Sequence, residues 1–149
     1  MRLILASTSP RRHELLTLLG VPFDVVAPPF IEQVQPHLSA DSQAVEFAAG
    51  KARSCVSSCP DALILGSDTL INLGSEVLGK PVDLAGAEVM LRRLAGQTHR
   101  IVTAVALAGP EPERCDVRLA EVLVTMKPLN EATLATYLRT GDSLGKAGA

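Results

Sequence analysis

Residues 3–12 read LILASTSPRR, and this stretch decides the first unit of the fold. Residues 2–6 are short, apolar and followed by hydroxyl residues, which predicts a buried strand. Ser9 is suited to cap a helix, and Pro10 fits the first helical position because its missing N–H costs nothing there. The leucines that follow carry the helical pattern to Gly20. The stretch therefore predicts a strand, a turn rich in hydroxyls and arginines, and a helix.

The rest of the chain continues this alternation and then changes to paired strands. Strands are predicted at residues 23–27, 62–65, 101–107 and 117–126, and a hairpin at Gly74 and Ser75. Helices are predicted to begin after Ser39 or Asp41, after Asp83 and after Asn130. This order favours an α/β fold with a mixed, elongated sheet and flanking helices. We expect two lobes around a cleft, lined by the SPRR turn, the SDT segment and the GKP hairpin.

Composition limits the class of protein. The 149 residues suit a single domain, and the hydrophobic content of 47% with a net charge of −2 is typical of a soluble globular protein. Because the chain has no basic excess and only 3% aromatic residues, a nucleic-acid polymer is a poor candidate partner. No apolar run approaches the length of a membrane span, so we expect a cytoplasmic protein without a membrane partner.

The SPRR turn has the features of an anion site. A helix that begins at Pro10 leaves backbone N–H groups free to bind phosphate oxygens, and Ser7 adds a hydroxyl. Arg11 and Arg12 add planar guanidinium groups that match phosphate geometry. The alternative, in which Ser9 is only a cap and both arginines are solvated, stays open at this stage.

Two acidic residues are candidates for catalysis. Asp68 follows an apolar strand and Gly66, so its carboxylate is expected at the end of a core strand. Glu32 stands in a polar loop. Together they could hold one Mg²⁺, or Asp68 could accept a proton from an attacking water. The alternatives are a turn aspartate that bonds the nearby backbone and a solvated surface glutamate.

Two lysines could stabilise charge on a phosphate. Lys80 lies between Gly79 and Pro81, which restrict the backbone around it. Lys51 lies off the apolar stripe of its predicted helix. For both, an ordinary exposed lysine is the alternative interpretation.

Seven sequence blocks in this order resemble the Maf family of nucleoside triphosphate pyrophosphatases. They are LASTSPRRHELL (5–16), IEQ (31–33), GKARS (50–54), LGSDTLI (65–71), LGKP (78–81), AEVMLRRLAGQTHRIVTAVAL (87–107) and GKAGA (145–149). The resemblance implies a Maf/ITPase-like fold and hydrolysis between the α- and β-phosphates of a nucleotide with Mg²⁺ or Mn²⁺. It also implies a role in removing unwanted nucleotides and a historical link to septum formation.

The resemblance also implies roles for particular residues. Asp68 would be the proton acceptor and a metal neighbour, and Glu32 a metal or water ligand. Contacts with the substrate phosphates would come from Ser7, Arg11, Arg12, Lys51 and Lys80. Thr69 after Asp68, together with Arg11, is similar to the branch of the family that acts on dTTP and UTP.

Family members continue past KAGA with a segment containing a glutamine linked to base specificity. Because this chain ends at Ala149, we expect a single Maf-like domain over residues 1–149 that lacks that segment. Two other functions stay open: a non-catalytic nucleotide-binding or interaction module in division control, and a phosphotransferase. A homodimer is an expectation at the level of the family.

Overall fold

Four helices and six strands form within residues 1–111 and 114–149, the parts that the computed structural model describes. In chain order they are β1 (Arg2–Ala6), α1 (Pro10–Thr17), β2 (Asp24–Val26), α2 (Ala40–Ser54), β3 (Ala62–Leu73), β4 (Glu76–Leu78), α3 (Leu84–Leu94), β5 (Thr98–Ala108), β6 (Cys115–Thr125) and α4 (Glu131–Arg139). The connection between the strands predicted at residues 101–107 and 117–126 includes Pro112 and Glu113, which lie outside the described residues. None of the described helices is long and apolar enough to cross a membrane.

The strands form a mixed sheet, which confirms the predicted fold class. Their order is β2-β1-β3-β5-β6, and β4 pairs with β3. β1 is parallel to both β2 and β3, whereas β4 returns antiparallel to β3 after a turn at Gly74, whose φ is +62°. The hydroxyls of Thr98 and Thr125 lie 2.8 Å apart, which joins the start of β5 to the end of β6. These two strands therefore run in opposite directions.

The chain forms two compact units, the first of which contains residues 1–68 and 103–120. Its core includes the fully buried Ile4 and Ile64 from neighbouring strands, and Phe47 from α2 is only 2% exposed. α2 approaches β3 very closely at Gly66. A Cβ atom added there would lie 2.3 Å from the carbonyl oxygen of Ala48 and 2.7 Å from the backbone nitrogen of Ala52. Only glycine allows this approach.

The second unit contains residues 69–102 and 121–149 and has its own apolar cluster. Ile71, Leu78 and Leu94 form the buried centre of that cluster. Partly buried side chains that pack against it are Leu73, Met90, Ile101, Met126 and Ala147. The unit therefore joins the β3–β4 hairpin, α3 and the C-terminal segment through one hydrophobic contact area.

Two details differ from the sequence predictions. β3 continues to Leu73 rather than ending at residue 65, because the backbone past Gly66 stays extended and pairs with β4. Asp68 therefore lies inside a strand and not at its end. Helix α1 ends at Thr17 rather than continuing to Gly20, and of its two leucines Leu16 is buried whereas Leu15 is 59% exposed.

Replacing Gly66 with alanine is expected to lower the free energy of unfolding by about 1–3 kcal/mol, because the methyl group would collide with the backbone of α2. Urea unfolding of the Gly66→Ala chain measures this loss. Gly79→Ala is the matched control, since a Cβ at Gly79 has no heavy atom within 4 Å. Equal stabilities of the two variants would contradict the proposed close approach of helix and strand.

Candidate active site

The parallel register of β1 and β3 places two polar segments side by side. Ala6 pairs with Gly66 as the last pair, so Ser7 and Ser67 are the next residues along the two strands. Because parallel strands point the same way, both segments leave the pairing at the same edge. Ser7, Ser67 and Asp68 are all at least nine-tenths buried there. The sheet register thus brings together two of the motifs that the sequence analysis identified.

The turn before α1 is organised by Ser7 rather than by Ser9. The Ser7 hydroxyl accepts a hydrogen bond from the backbone N–H of Ser9 at 3.2 Å and another from Arg12 at 3.4 Å. Ser9 occupies the N-cap position before Pro10, as predicted, but within the described chain its side chain makes no capping hydrogen bond.

The start of α1 keeps its capacity to bind an anion. In this fully described helix, Pro10 occupies the first position and the first turn carries no acidic residue. No acidic side chain of the helix's own first turn therefore competes for its backbone N–H groups and partial positive charge. Arg11 in the same turn is exposed. This arrangement suits phosphate oxygens.

Lys51 is the centre of the site. It is only 6% exposed, so the interpretation of Lys51 as an ordinary surface lysine is wrong. Its Nζ lies 2.5 Å from Oδ1 of Asp68 and 2.6 Å from Oε1 of Glu32. It also lies 3.5 Å from the carbonyl oxygen of Ser67, to which it donates. One buried ammonium group therefore joins the helix α2, the strand β3 and the loop that contains Glu32.

Asp68 is held between two cations. Besides the contact with Lys51, its Oδ1 lies 3.8 Å from a guanidinium nitrogen of Arg12. Burial raises the pKa of Asp68 above its ordinary value, although the hydrogen bond from Lys51 acts in the opposite direction. The negative charge of Glu32 raises the pKa further. The carboxylate is consequently more basic than a solvated aspartate, which suits a group that accepts a proton.

The network contains two carboxylates, groups of the type that binds divalent cations. Glu32 and Asp68 both direct an oxygen at the Nζ of Lys51, so this ammonium group occupies the space between those two oxygens. In residues 1–111 and 114–149 no group of three or more His, Cys, Asp and Glu side chains is placed to hold a metal. Mg²⁺ usually needs only one or two carboxylates when water and substrate phosphates complete its shell.

The structure thus connects five of the predicted site residues in one network: Ser7, Arg12, Glu32, Lys51 and Asp68. Arg11 is exposed at the start of α1 and adds no described contact to this network. Thr69 and Lys80 belong to the second unit. Thr69 is half-buried on β3, and Lys80 is exposed just after β4.

Sequence analysis missed one member of the site, the backbone carbonyl of Ser67. This oxygen faces the Lys51 ammonium from a buried position on β3. Main-chain groups leave no signal in the residue type, so only the backbone path could reveal it.

Replacing Lys51 with methionine is expected to lower the free energy of unfolding by about 3 kcal/mol at pH 7, because buried Asp68 loses its nearest cation. Adding Asp68→Asn should recover most of the loss, since no buried charge then remains at that position. Lys127→Met, at an exposed site, is the control. Urea unfolding measures the free energy of unfolding of Lys51→Met, of its combination with Asp68→Asn, and of Lys127→Met.

The stability that Lys51→Met loses should become smaller as the pH falls. The folded-state pKa of Asp68 is raised above the unfolded value, so ionisation of this carboxyl works against folding at neutral pH. Lys51→Met removes the hydrogen bond that lowers this pKa, so Asp68 takes up a proton more readily in the variant. The difference in the free energy of unfolding between Lys51→Met and the parent chain should therefore shrink as the pH falls from about 7 towards about 4. A difference that grows on acidification would contradict the burial of an ionised Asp68.

Comparisons with known proteins identify the family of the chain. The sequence model of the family described as "Maf-like protein" matches residues 2–149. A "dTTP/UTP pyrophosphatase" of Symbiobacterium thermophilum is 44% identical over 149 residues, covering 99% of this chain and 75% of the relative. A protein of the same name from Escherichia coli O157:H7 is 45% identical over 148 residues, covering 99% of this chain and 74% of the relative.

A solved structure shares the fold at low identity. The Staphylococcus aureus Ham1 protein superposes with a TM-score of 0.52 at 13% identity, covering 84% of this chain and 71% of that one. This similarity supports the mixed α/β fold alone. The match of the family model over nearly the whole chain, with relatives at this level of identity, shows that the chain belongs to the Maf family.

Proposed function

We propose that the chain hydrolyses nucleoside triphosphates between the α- and β-phosphates, releasing a nucleoside monophosphate and pyrophosphate. The names of the relatives support dTTP and UTP as the substrates. The observation that carries the proposal is the buried Lys51 ammonium, which holds two carboxylates beside an anion-binding turn. The divalent metal, the cytoplasmic location, the single-domain assignment and the homodimer remain predictions from the sequence.

Asp68 accepts the proton in the proposed reaction. A water oxygen attacks the α-phosphorus, its proton passes to the Asp68 carboxylate, and the bond from the α-phosphorus to the bridging oxygen breaks. The electron pair of that bond leaves on pyrophosphate. The raised pKa of Asp68 supports this role, because a more basic carboxylate takes the proton more readily.

Lys51 keeps the proton acceptor in position. Its ammonium group contacts Asp68 Oδ1 and Glu32 Oε1 together, and these two contacts restrain both carboxylates. Arg12 contacts the same Asp68 oxygen from the turn. Rotation of the Asp68 carboxylate would therefore break its charged contacts with Lys51 and Arg12.

The phosphate chain is bound by the start of α1. The first-turn backbone N–H groups, the Ser7 hydroxyl and the guanidinium groups of Arg11 and Arg12 supply donors there. Thr69 and Lys80 are proposed substrate contacts on the strength of the family resemblance. Lys80 would neutralise charge on the phosphates, and Thr69 would help to select the base.

Glu32 and Asp68 would hold the divalent metal. Such an ion would neutralise charge on the polyphosphate and make a water molecule easier to deprotonate.

Asp68→Asn is expected to lower kcat about 10²–10⁴-fold, because the isosteric amide cannot accept the proton. The measurement is release of nucleoside monophosphate and pyrophosphate from dTTP and UTP with Mg²⁺ or Mn²⁺. Asp61→Asn, an exposed position immediately before β3, is the control. Thermal unfolding should show a lower Tm in Asp68→Asn, because the buried Lys51 ammonium then keeps only Glu32 as a carboxylate partner, so kcat is measured at a temperature at which both chains are folded.

Three outcomes would contradict the proposal. Nucleotide binding without product release would favour a non-catalytic module. Transfer of a phosphoryl group to an alcohol or amine would indicate a phosphotransferase. Unchanged kcat in Asp68→Asn would remove Asp68 from the reaction.

Arg11→Gln is expected to raise KM for dTTP about 10–100-fold with a much smaller change in kcat, because a charge-assisted hydrogen bond to phosphate is lost. Initial rates over a range of dTTP concentrations test this. Arg53→Gln, on the exposed side of α2, should leave KM unchanged. A fall in kcat at constant KM would place Arg11 in the chemical step instead.

A further inference from the structure

Glu32 lies in a long loop that has no regular secondary structure. The loop runs between the end of β2 at Val26 and the start of α2 at Ala40. Glu32 itself is 40% exposed at the side chain, and yet its Oε1 reaches the buried Lys51 ammonium at 2.6 Å. An irregular segment of this length needs tertiary contacts to hold one side chain in place.

One such contact lies two residues before Glu32. The ring of Phe30 covers Gly50 on α2 so closely that a Cβ at Gly50 would lie 2.2 Å from Cε2 and 2.5 Å from Cζ of the ring. The same ring lies 6.3 Å from the ring of Phe47, centroid to centroid. Phe30 therefore needs a residue without a side chain at position 50, directly before Lys51.

A second contact lies three residues after Glu32. Gln43 on α2 is 1% exposed, and its Oε1 accepts the backbone N–H of Gln35 at 3.1 Å. Its amide nitrogen donates to the carbonyl oxygen of Leu38 at 3.0 Å. The Gln35 side chain also donates to Glu46 at 3.2 Å. Both sides of Glu32 are thus attached to the helix that carries Lys51.

We propose that Gly50 and Phe30 are positioning residues for Glu32. The glycine leaves a gap on α2, the Phe30 ring fills it, and the seated ring sets the loop so that the Glu32 carboxylate meets Lys51. This placement holds the Glu32 carboxylate beside the Lys51–Asp68 contact. The catalytic consequence rests on the proposed function, whereas the placement itself does not.

Neither helix propensity nor backbone conformation explains a glycine at position 50. Glycine inside a helix costs about 1 kcal/mol relative to alanine. Gly50 also has a φ outside the left-handed region, so its backbone does not require glycine. The Phe30 ring is the feature in the described structure that excludes a side chain at this position.

The first experiment measures placement in the chain without nucleotide. Glu32→Gln is introduced into the parent and into Gly50→Ala, and urea unfolding gives the unfolding equilibrium constant of each. We expect Glu32→Gln to raise that constant about fivefold in the parent, as loss of a partly exposed ion pair does, and to change it less than about twofold in Gly50→Ala. An equal effect in both backgrounds, or none in the parent, overturns the proposal.

The second experiment measures the consequence for activity. Gly50→Ala should lower kcat/KM for dTTP about tenfold and raise the Mg²⁺ concentration needed for half-maximal rate, because Glu32 is displaced. Adding Phe30→Leu should restore both values, since leucine lacks the ring atoms that collide with the new methyl group. Gly109→Ala is the control for the same change at an uncrowded position, since the nearest heavy atom to a Cβ there is Cδ2 of Leu63 at 3.9 Å. Failure of Phe30→Leu to rescue overturns the proposal.

The two experiments separate this inference from the proposed function. If the parent releases no pyrophosphate but Gly50→Ala still removes the effect of Glu32→Gln on unfolding, the proposed function is wrong and the placement stands. If the parent is active and that effect is unchanged in Gly50→Ala, the placement is wrong and the function stands.

Discussion

The contact of the buried Lys51 ammonium with Asp68 and Glu32 is the interaction on which the whole site depends. A charged lysine with 6% exposure is unfavourable unless carboxylates and carbonyl oxygens surround it. Here two carboxylates and the Ser67 carbonyl provide that surrounding. Breaking one side of such a cluster leaves an uncompensated charge, so its members stabilise one another. The same mutual dependence holds a basic carboxylate in a fixed place.

The cluster exists because of a close approach between a helix and a strand. Ala48 and Ala52 of α2 lie against the bare backbone of Gly66, and Lys51 is carried on the same helix beside them. Larger residues at any of these positions would push α2 away from β3. The ammonium would then no longer reach Asp68, two residues beyond Gly66. Small residues in the core are therefore as important to the site as the charged residues are.

The raised pKa of Asp68 shows that this geometry works against the stability of the ionised carboxylate. Around it, the first unit compensates with fully buried side chains such as Ile4 and Ile64. The second unit relies on a separate apolar cluster centred on Ile71 and Leu94. An apolar core thus supports a charged centre that would not persist alone, which is typical of catalytic sites.

Residue pattern alone determined much of this protein. Apolar runs and caps fixed the mixed α/β elements, with Ser39, Asp83 and Asn130 each accepting a backbone N–H at a helix start. These signals are local, because a cap and its helix are adjacent in the chain. Motif order further identified the family, which the comparisons confirm. Tertiary structure alone decided that Lys51 is buried, that Asp68 lies within a longer strand and that Phe30 seats the Glu32 loop on Gly50. Each of these depends on contacts between residues distant in sequence, such as the β1–β3 register, and local residue preferences do not encode such distances.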